Sequence, residues 1–167
     1  IGMKDSSDFT LLENNLIYNP RGLYLDQSPY HPRTVNVFER NNILYNSSGV
    51  QFQVSRERSI FKENVIKGNI EPVVSDTPRN NLDINDWSGN YWDMYEGFDK
   101  NGDGYGDIPY KHYVYADKLW LYNPNVKFFY GSVIMDLLNF LAKFIPFSEP
   151  ELLAVDNKPM MEYKIAK

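Results

Sequence analysis

The chain has 167 residues, a net charge of −5 and no cysteine. Its length allows one sizeable core, or a core with an extension. The negative balance argues against non-specific nucleic-acid binding, and the missing thiols exclude disulfides, zinc–thiolate sites and cysteine catalysis.

Short motifs recur along the first half. Gly2-Met-Lys-Asp5 matches the stretch from Gly22 to Asp26. Asn15-Leu-Ile-Tyr-Asn19 is followed by Gly22-Leu-Tyr-Leu25, and Asn42-Ile-Leu-Tyr-Asn46 by Gly49-Val-Gln-Phe52. Asn64-Val-Ile-Lys-Gly-Asn69 is followed by Pro72-Val-Val74, and a degenerate last unit runs from Asn80 to Trp92. The first two asparagines of this series are 27 residues apart and the next pair 22. The longer interval holds Ser28-Pro-Tyr-His-Pro32, a natural loop insertion. A period near 22 with short alternating strands predicts coils of a parallel β-helix, each stacked about 4.8 Å from the next. The 13 Tyr and 10 Phe suit such β structure. In this register Ile17, Leu44 and Ile66 form one inward column and Leu23, Val50 and Val73 another. The asparagines occupy bends, where they tolerate left-handed conformations and bond to the next coil. A β-sandwich with Asn-rich turns is the competing architecture, although it does not require one motif to recur in register. The aromatics of residues 87–110 are expected to cap the last coil. No cap precedes Ile1, so further coils are expected before it.

Next comes Asp99-Lys-Asn101-Gly-Asp103-Gly104-Tyr-Gly106-Asp107. Asp99, Asn101, Asp103 and Asp107 match positions 1, 3, 5 and 9 of a calcium loop, with the carbonyl of Tyr105 as a further ligand. Position 12 falls on Tyr110 instead of a bidentate glutamate, so the loop is not a complete EF-hand. A structural Ca²⁺ and a metal-free turn with carboxylates on backbone N–H groups both fit the pattern.

Beyond Tyr110 the repeat ends. Ser132 can cap a helix over about 132–145 that stops at Pro146. Its polar stripe is narrow, and the apolar arc, with Leu137, Phe140, Leu141 and Phe144, is wider than one packing face needs. Burial against the coils and docking on a partner are both open. The tail from Phe147 to Lys167 reads as extended and adaptable. The chain therefore divides into coils (1–92), an acidic capping loop (93–110) and a loop-rich, partly helical extension (111–167). The apolar stretch Val126 to Phe147 is broken by Lys127, Asp136 and Lys143, which does not suit a membrane span.

Without cysteine, soft-metal chemistry falls to thioethers and imidazoles. Met160 and Met161, with Met94 and His112, are the candidate Cu(I) ligands. No Ser/His/Asp spacing, P-loop or HExxH motif points to catalysis. Carbohydrate binding or polysaccharide cleavage is the alternative; its one hint is a basic series of Arg33, Arg40, Arg56 and Arg58.

Asn-rich coils lead into Gly89-Asn-Tyr-Trp-Asp93, then Gly97-Phe-Asp99, then Asn101-Gly-Asp-Gly-Tyr-Gly-Asp107-Ile-Pro-Tyr110, followed by a helix and a Met-containing tail. This combination resembles the C-terminal part of the NosD family of nitrous oxide reductase maturation proteins, over essentially the whole chain. The resemblance implies a periplasmic, right-handed parallel β-helix that is not an enzyme. It implies association with an ABC permease and its ATPase, and a role in building the copper centres of nitrous oxide reductase. Copper would be received from a chaperone lipoprotein. The apolar helix then gains the permease as a candidate partner, and the Met tail a role in copper passage.

Overall fold

The computed structural model describes residues 1–54, 57–75, 84–114, 132–134, 137, 141 and 151–163. The chain forms two compact units, Ile1–His112 with Leu153–Lys167, and Tyr113–Leu152. In the first unit three strands repeat in strict order. They are β1 (Gly2–Lys4), β2 (Thr10–Leu12) and β3 (Asn15–Ile17); then β4 (Arg21–Asp26), β5 (Asn36–Glu39) and β6 (Asn42–Leu44). The third set is β7 (Ser48–Gln53), β8 (Ser59–Lys62) and β9 (Val65–Lys67), and the fourth is β10 (Glu71–Ser75), β11 (Asp86–Ser88) and β12 (Tyr91–Trp92). Each strand pairs in parallel with its counterpart one coil on. The result is a parallel β-solenoid with three sheet faces. β13 (Tyr110–Val114) and β14 (Glu151–Asp156) add to the end of the second face, in the order β13-β14-β11-β8-β5-β2.

Each coil turns at residues in the left-handed region. After the second face these are Glu13, Arg40, Glu63 and Gly89, and after the third Tyr18, Tyr45 and Gly68, with φ between 50° and 70°. Every one is followed by asparagine: Asn14, Asn41, Asn64 and Asn90, then Asn19, Asn46 and Asn69. A side chain in this conformation costs about 1 kcal/mol or more. The turn offsets that by aiming the residue's N–H along the solenoid axis, as in Arg40 N–H to the Lys62 carbonyl (3.0 Å) and Tyr45 N–H to that of Lys67 (3.0 Å). The asparagine then donates both its backbone N–H and its Nδ2 to the Oδ1 of the asparagine one coil on. For Asn41 to Asn64 both distances are 3.0 Å, and for Asn46 to Asn69 both are 2.9 Å. The remaining Nδ2 hydrogen reaches back, Asn64 to the Phe38 carbonyl at 2.9 Å. One buried asparagine thus bonds three successive coils.

This ladder corrects one column expected from sequence. Ile17 does stack on Leu44, but Leu44 stacks on Lys67, while Ile66 pairs with Ile43 and Trp92. The inward column is Leu16, Ile43, Ile66 and Trp92, all buried. The cause is the doublets Asn14-Asn15 and Asn41-Asn42, in which the first asparagine, not the second, aligns with Asn64. The column of Leu23, Val50 and Val73 forms as expected. Gly22 and Gly49 are required beside it: a Cβ on Gly49 would lie 2.5 Å from the Pro72 carbonyl oxygen. Along the second face Phe38, Phe61 and Trp87 stack at 4.8 and 4.0 Å, and Trp87 meets Trp92 at 5.4 Å.

Candidate functional site at the closed end

The asparagine ladder is directional, so its last rung needs an acceptor that asks for no donor in return. Asp156, at the end of β14 and fully buried, supplies it. Its Oδ2 accepts from Asn90 N–H (2.8 Å), Asn90 Nδ2 (3.0 Å) and Trp92 Nε1 (3.1 Å), and its Oδ1 from the N–H groups of Gly89 (3.1 Å) and Lys158 (3.0 Å). Five N–H donors take the place of bulk solvent around this buried carboxylate. Sequence reasoning missed this residue. Its one local signal is an acid closing the continuous apolar run Leu152-Leu-Ala-Val155.

The chain then crosses the end as one more rung. Met160 pairs in parallel with Tyr91 and antiparallel with Tyr105. Its N–H donates to the Asn90 carbonyl at 2.9 Å, and that of Met161 to the Gly104 carbonyl at 3.0 Å. Tyr163 finishes the crossing: Lys67 Nζ donates to its hydroxyl at 2.5 Å, a bond that raises the Lys67 pKa, and its ring lies 4.5 Å from that of Tyr91. Residues read from sequence as an adaptable tail are therefore built into the solenoid end. Met160 lies in register with Tyr91 and Tyr105, and the chain bends at Met161. Both thioethers are half-buried, and Met94 is exposed.

The acidic loop lies against this rung. Asp99 Oδ1 accepts from the N–H groups of Gly102 (2.7 Å) and Asp103 (3.2 Å), and its Oδ2 from Gly104 N–H (2.8 Å). These bonds, that from Gly104 foremost, hold the Asp99 carboxyl below the ordinary carboxylate range. Asn101 Oδ1 accepts from Asp103 N–H, Asp103 Oδ1 from Tyr105 N–H, and Asp107 Oδ2 from Lys100 N–H. The predicted ligand set is thus gathered in one turn whose oxygens face backbone donors. Among the described residues no three His, Asp or Glu side chains converge as a metal site. Tyr95 lies against Gly97 and Gly106, leaving no room for a Cβ on either, and donates to the Ile108 carbonyl at 2.7 Å.

His112 sits in the interior of the end, 9% exposed. Its Nδ1 shares a hydrogen bond with the Tyr110 hydroxyl (3.1 Å), its ring bonds the Val73 backbone, and it lies parallel to Trp92. Burial pushes its pKa down to about 4, so the imidazole is neutral at pH 7. The structure does not bring His112 to the surface with Met94.

Elsewhere, Arg40 pairs with Glu13 (2.9 Å) and Glu39, and Arg58 with Asp86 (2.7 Å). These ion pairs occupy two members of the basic series, and Arg56 lies outside the described residues. In the second unit Val133, Ile134, Leu137 and Leu141 are helical and exposed. The rest of the expected helix, with Phe140 and Phe144, lies outside the described residues. No helix among those described is long and apolar enough to cross a membrane.

Residues 1–97 match the family described as "Periplasmic copper-binding protein (NosD)". The "Probable ABC transporter binding protein NosD" of Stutzerimonas stutzeri is 30% identical over 133 residues, 79% of this chain and 30% of that protein. Its namesake in Pseudomonas aeruginosa is 29% identical over the same share of this chain and 31% of its own length. The chain thus spans less than a third of the curated relatives it matches. Both are named as binding proteins, not as enzymes.

Proposed function

Because the chain belongs to the NosD family, we propose that it is a periplasmic accessory protein that presents Cu(I) beside an ABC transporter during assembly of the copper centres of nitrous oxide reductase. The observation that carries this reading is the family match over residues 1–97, whose description names both periplasm and copper. The transporter comes from the names of the two relatives. The partners are the permease and ATPase, the reductase, and a chaperone lipoprotein that delivers the metal. The exposed apolar residues Leu137 and Leu141, with Phe140 and Phe144, are the proposed contact for the permease.

Copper is the cargo, and Met160 and Met161, with Met94, are its proposed ligands. Thioethers suit a soft monovalent ion. Met160 and Met161 are both half-buried at the closing rung, so a partner's ligand would complete the site, as a transfer site requires. His112 joins only if its bonds to Tyr110 and Val73 open. The loop of Asp99, Asn101, Asp103, Tyr105 and Asp107 is proposed to hold Ca²⁺ as a brace; a carboxylate has about four lone-pair sites, so its N–H bonds leave room for a cation.

Anaerobic titration with a competing Cu(I) chelator tests the copper reading. Met160→Ala with Met161→Ala is expected to weaken binding at least about tenfold, the loss of about 1.4 kcal/mol of ligation. Failure of the unaltered protein to take up Cu(I), alone or with its partners, would overturn the function.

A further inference from the structure

The acidic loop and the methionine rung, separate motifs in the sequence, are one assembly in the structure. Asp99 draws the N–H groups of Gly102, Asp103 and Gly104 onto its carboxylate. That turn leaves the Gly104 carbonyl and Gly106 N–H facing outward. They meet Met161 N–H at 3.0 Å and the Pro159 carbonyl at 2.8 Å. Tyr105, between them, is the residue that pairs with Met160. Tyr95 braces the turn from the other side, against Gly97 and Gly106.

We propose that Asp99 is a positioning residue for Met160 and Met161: its carboxylate shapes the loop into a clamp that holds the methionine rung against Tyr91. The inference rests on the reading of these methionines as copper ligands only for its purpose, not for its geometry. The clamp grips the segment midway between two other anchors, Asp156 and the Lys67–Tyr163 bond. Those anchors fix its ends, and the Asp99 turn fixes its middle. The same contacts explain how an exposed loop governs thioethers that are half-buried.

Amide hydrogen exchange in the whole chain, in chelator, reads the clamp directly. Asp99→Ala is expected to raise exchange at Met160 and Met161 about tenfold, the effect of losing one to two net hydrogen bonds, and to speed peroxide oxidation of both residues. Exchange at Asn64 and Asn46, in the coils, is expected to stay unchanged. Asp99→Asn keeps an acceptor for Gly102 and Asp103 but sets an amide against Gly104 N–H, so it should fall between the two. It also serves if the alanine variant does not fold. Faster exchange at Gly102–Gly104 with unchanged exchange at Met160 and Met161 would overturn the clamp. So would equal exchange of Met160 and Met161 in Asp99→Ala and the unaltered protein, both in chelator, because the carboxylate would then hold nothing by itself. A rise in exchange with unchanged Cu(I) affinity would support the clamp and count against the methionines as ligands.

Discussion

The coils and the closed end solve the same problem by opposite means. Within the coils Asn14, Asn41 and Asn64 each find an acceptor on the asparagine one coil away, and the arrangement carries forward to Asn90. At the end there is no further asparagine, and the closure comes from residues remote in sequence: Asp156 for the ladder, Met160 for the third face, and His112 beside Trp92. Repetition makes a solenoid indefinitely extendable; a non-repeating residue of the right valence stops it. The lesson is that a hydrogen-bond ladder with a direction sets the chemistry of its own terminus.

Removing one member from each region tests this contrast. Asp156→Ala strands five N–H donors in the interior and is expected to cost about 4 kcal/mol or more. Asn64→Ala removes a rung but leaves fewer orphans, chiefly Asn41 N–H, Asn41 Nδ2 and the Phe38 carbonyl, at about 3 kcal/mol. Denaturant midpoints at pH 7 give both values. Asp156→Asn sharpens the comparison, because its amide donor faces other donors; it should remain well below the unaltered protein. A smaller loss for Asp156→Ala than for Asn64→Ala would mean that the end is not governed by the ladder.

The same contrast explains what could be read from sequence. The solenoid was legible because its signals are local and repeated: Asn46, Asn69 and the glycines at 22 and 49 recur beside alternating apolar residues. The doublet Asn41-Asn42 misled the register by one place, since either asparagine fits a bend and only the three-coil bonding of Asn41 decides between them. The acidic loop was also legible, because Asp99 bonds residues three to five positions away. Asp156 was not, because its partners Asn90 and Trp92 are more than 60 residues away. The engagement of Met160, Tyr163 and His112 was hidden for the same reason: their roles depend on which coil ends beside them.

Acid separates the two regions by charge. The asparagine ladders do not titrate, whereas the closed end contains a buried neutral imidazole. The His112 pKa falls from 6.5 in the unfolded chain to about 4 in the folded one. Above pH 6.5 neither state is protonated and the stability is complete. Between 6.5 and 4 the unfolded chain binds the proton and the folded one does not, so stability falls as pH falls. Below 4 both are protonated and the loss levels off. Linkage gives a loss of about 2 kcal/mol between pH 7 and pH 5. Denaturant melts at both values measure it, and His112→Gln, which can keep a hydrogen bond to Tyr110 without titrating, should remove most of the slope. An unchanged slope in that variant would place the acid sensitivity elsewhere.

The coils have a weak point of their own, and it gives the smallest effect. After the first face the chain bends at Asp5, Gln27 and Val54, with φ of 49°, 46° and 53°, and no asparagine follows. This bend has the axial N–H bonds, such as Gln27 N–H to the Gln53 carbonyl at 2.9 Å, but not the side-chain ladder. Val54 is the most strained of the three, since a β-branched side chain fits the left-handed region worst. Asparagine accepts that conformation and adds no glycine-like freedom to the unfolded chain. Val54→Asn should therefore stabilise by about 1 kcal/mol, a rise of about 3 °C in melting temperature for a chain of this size. Val54→Gly relieves the same strain at greater entropic cost and should gain less. Val50, fully buried in the apolar column, is the control: Val50→Asn puts an amide where only hydrocarbon fits and should destabilise strongly. A destabilising Val54→Asn would show that the packing of its half-buried side chain outweighs the backbone strain.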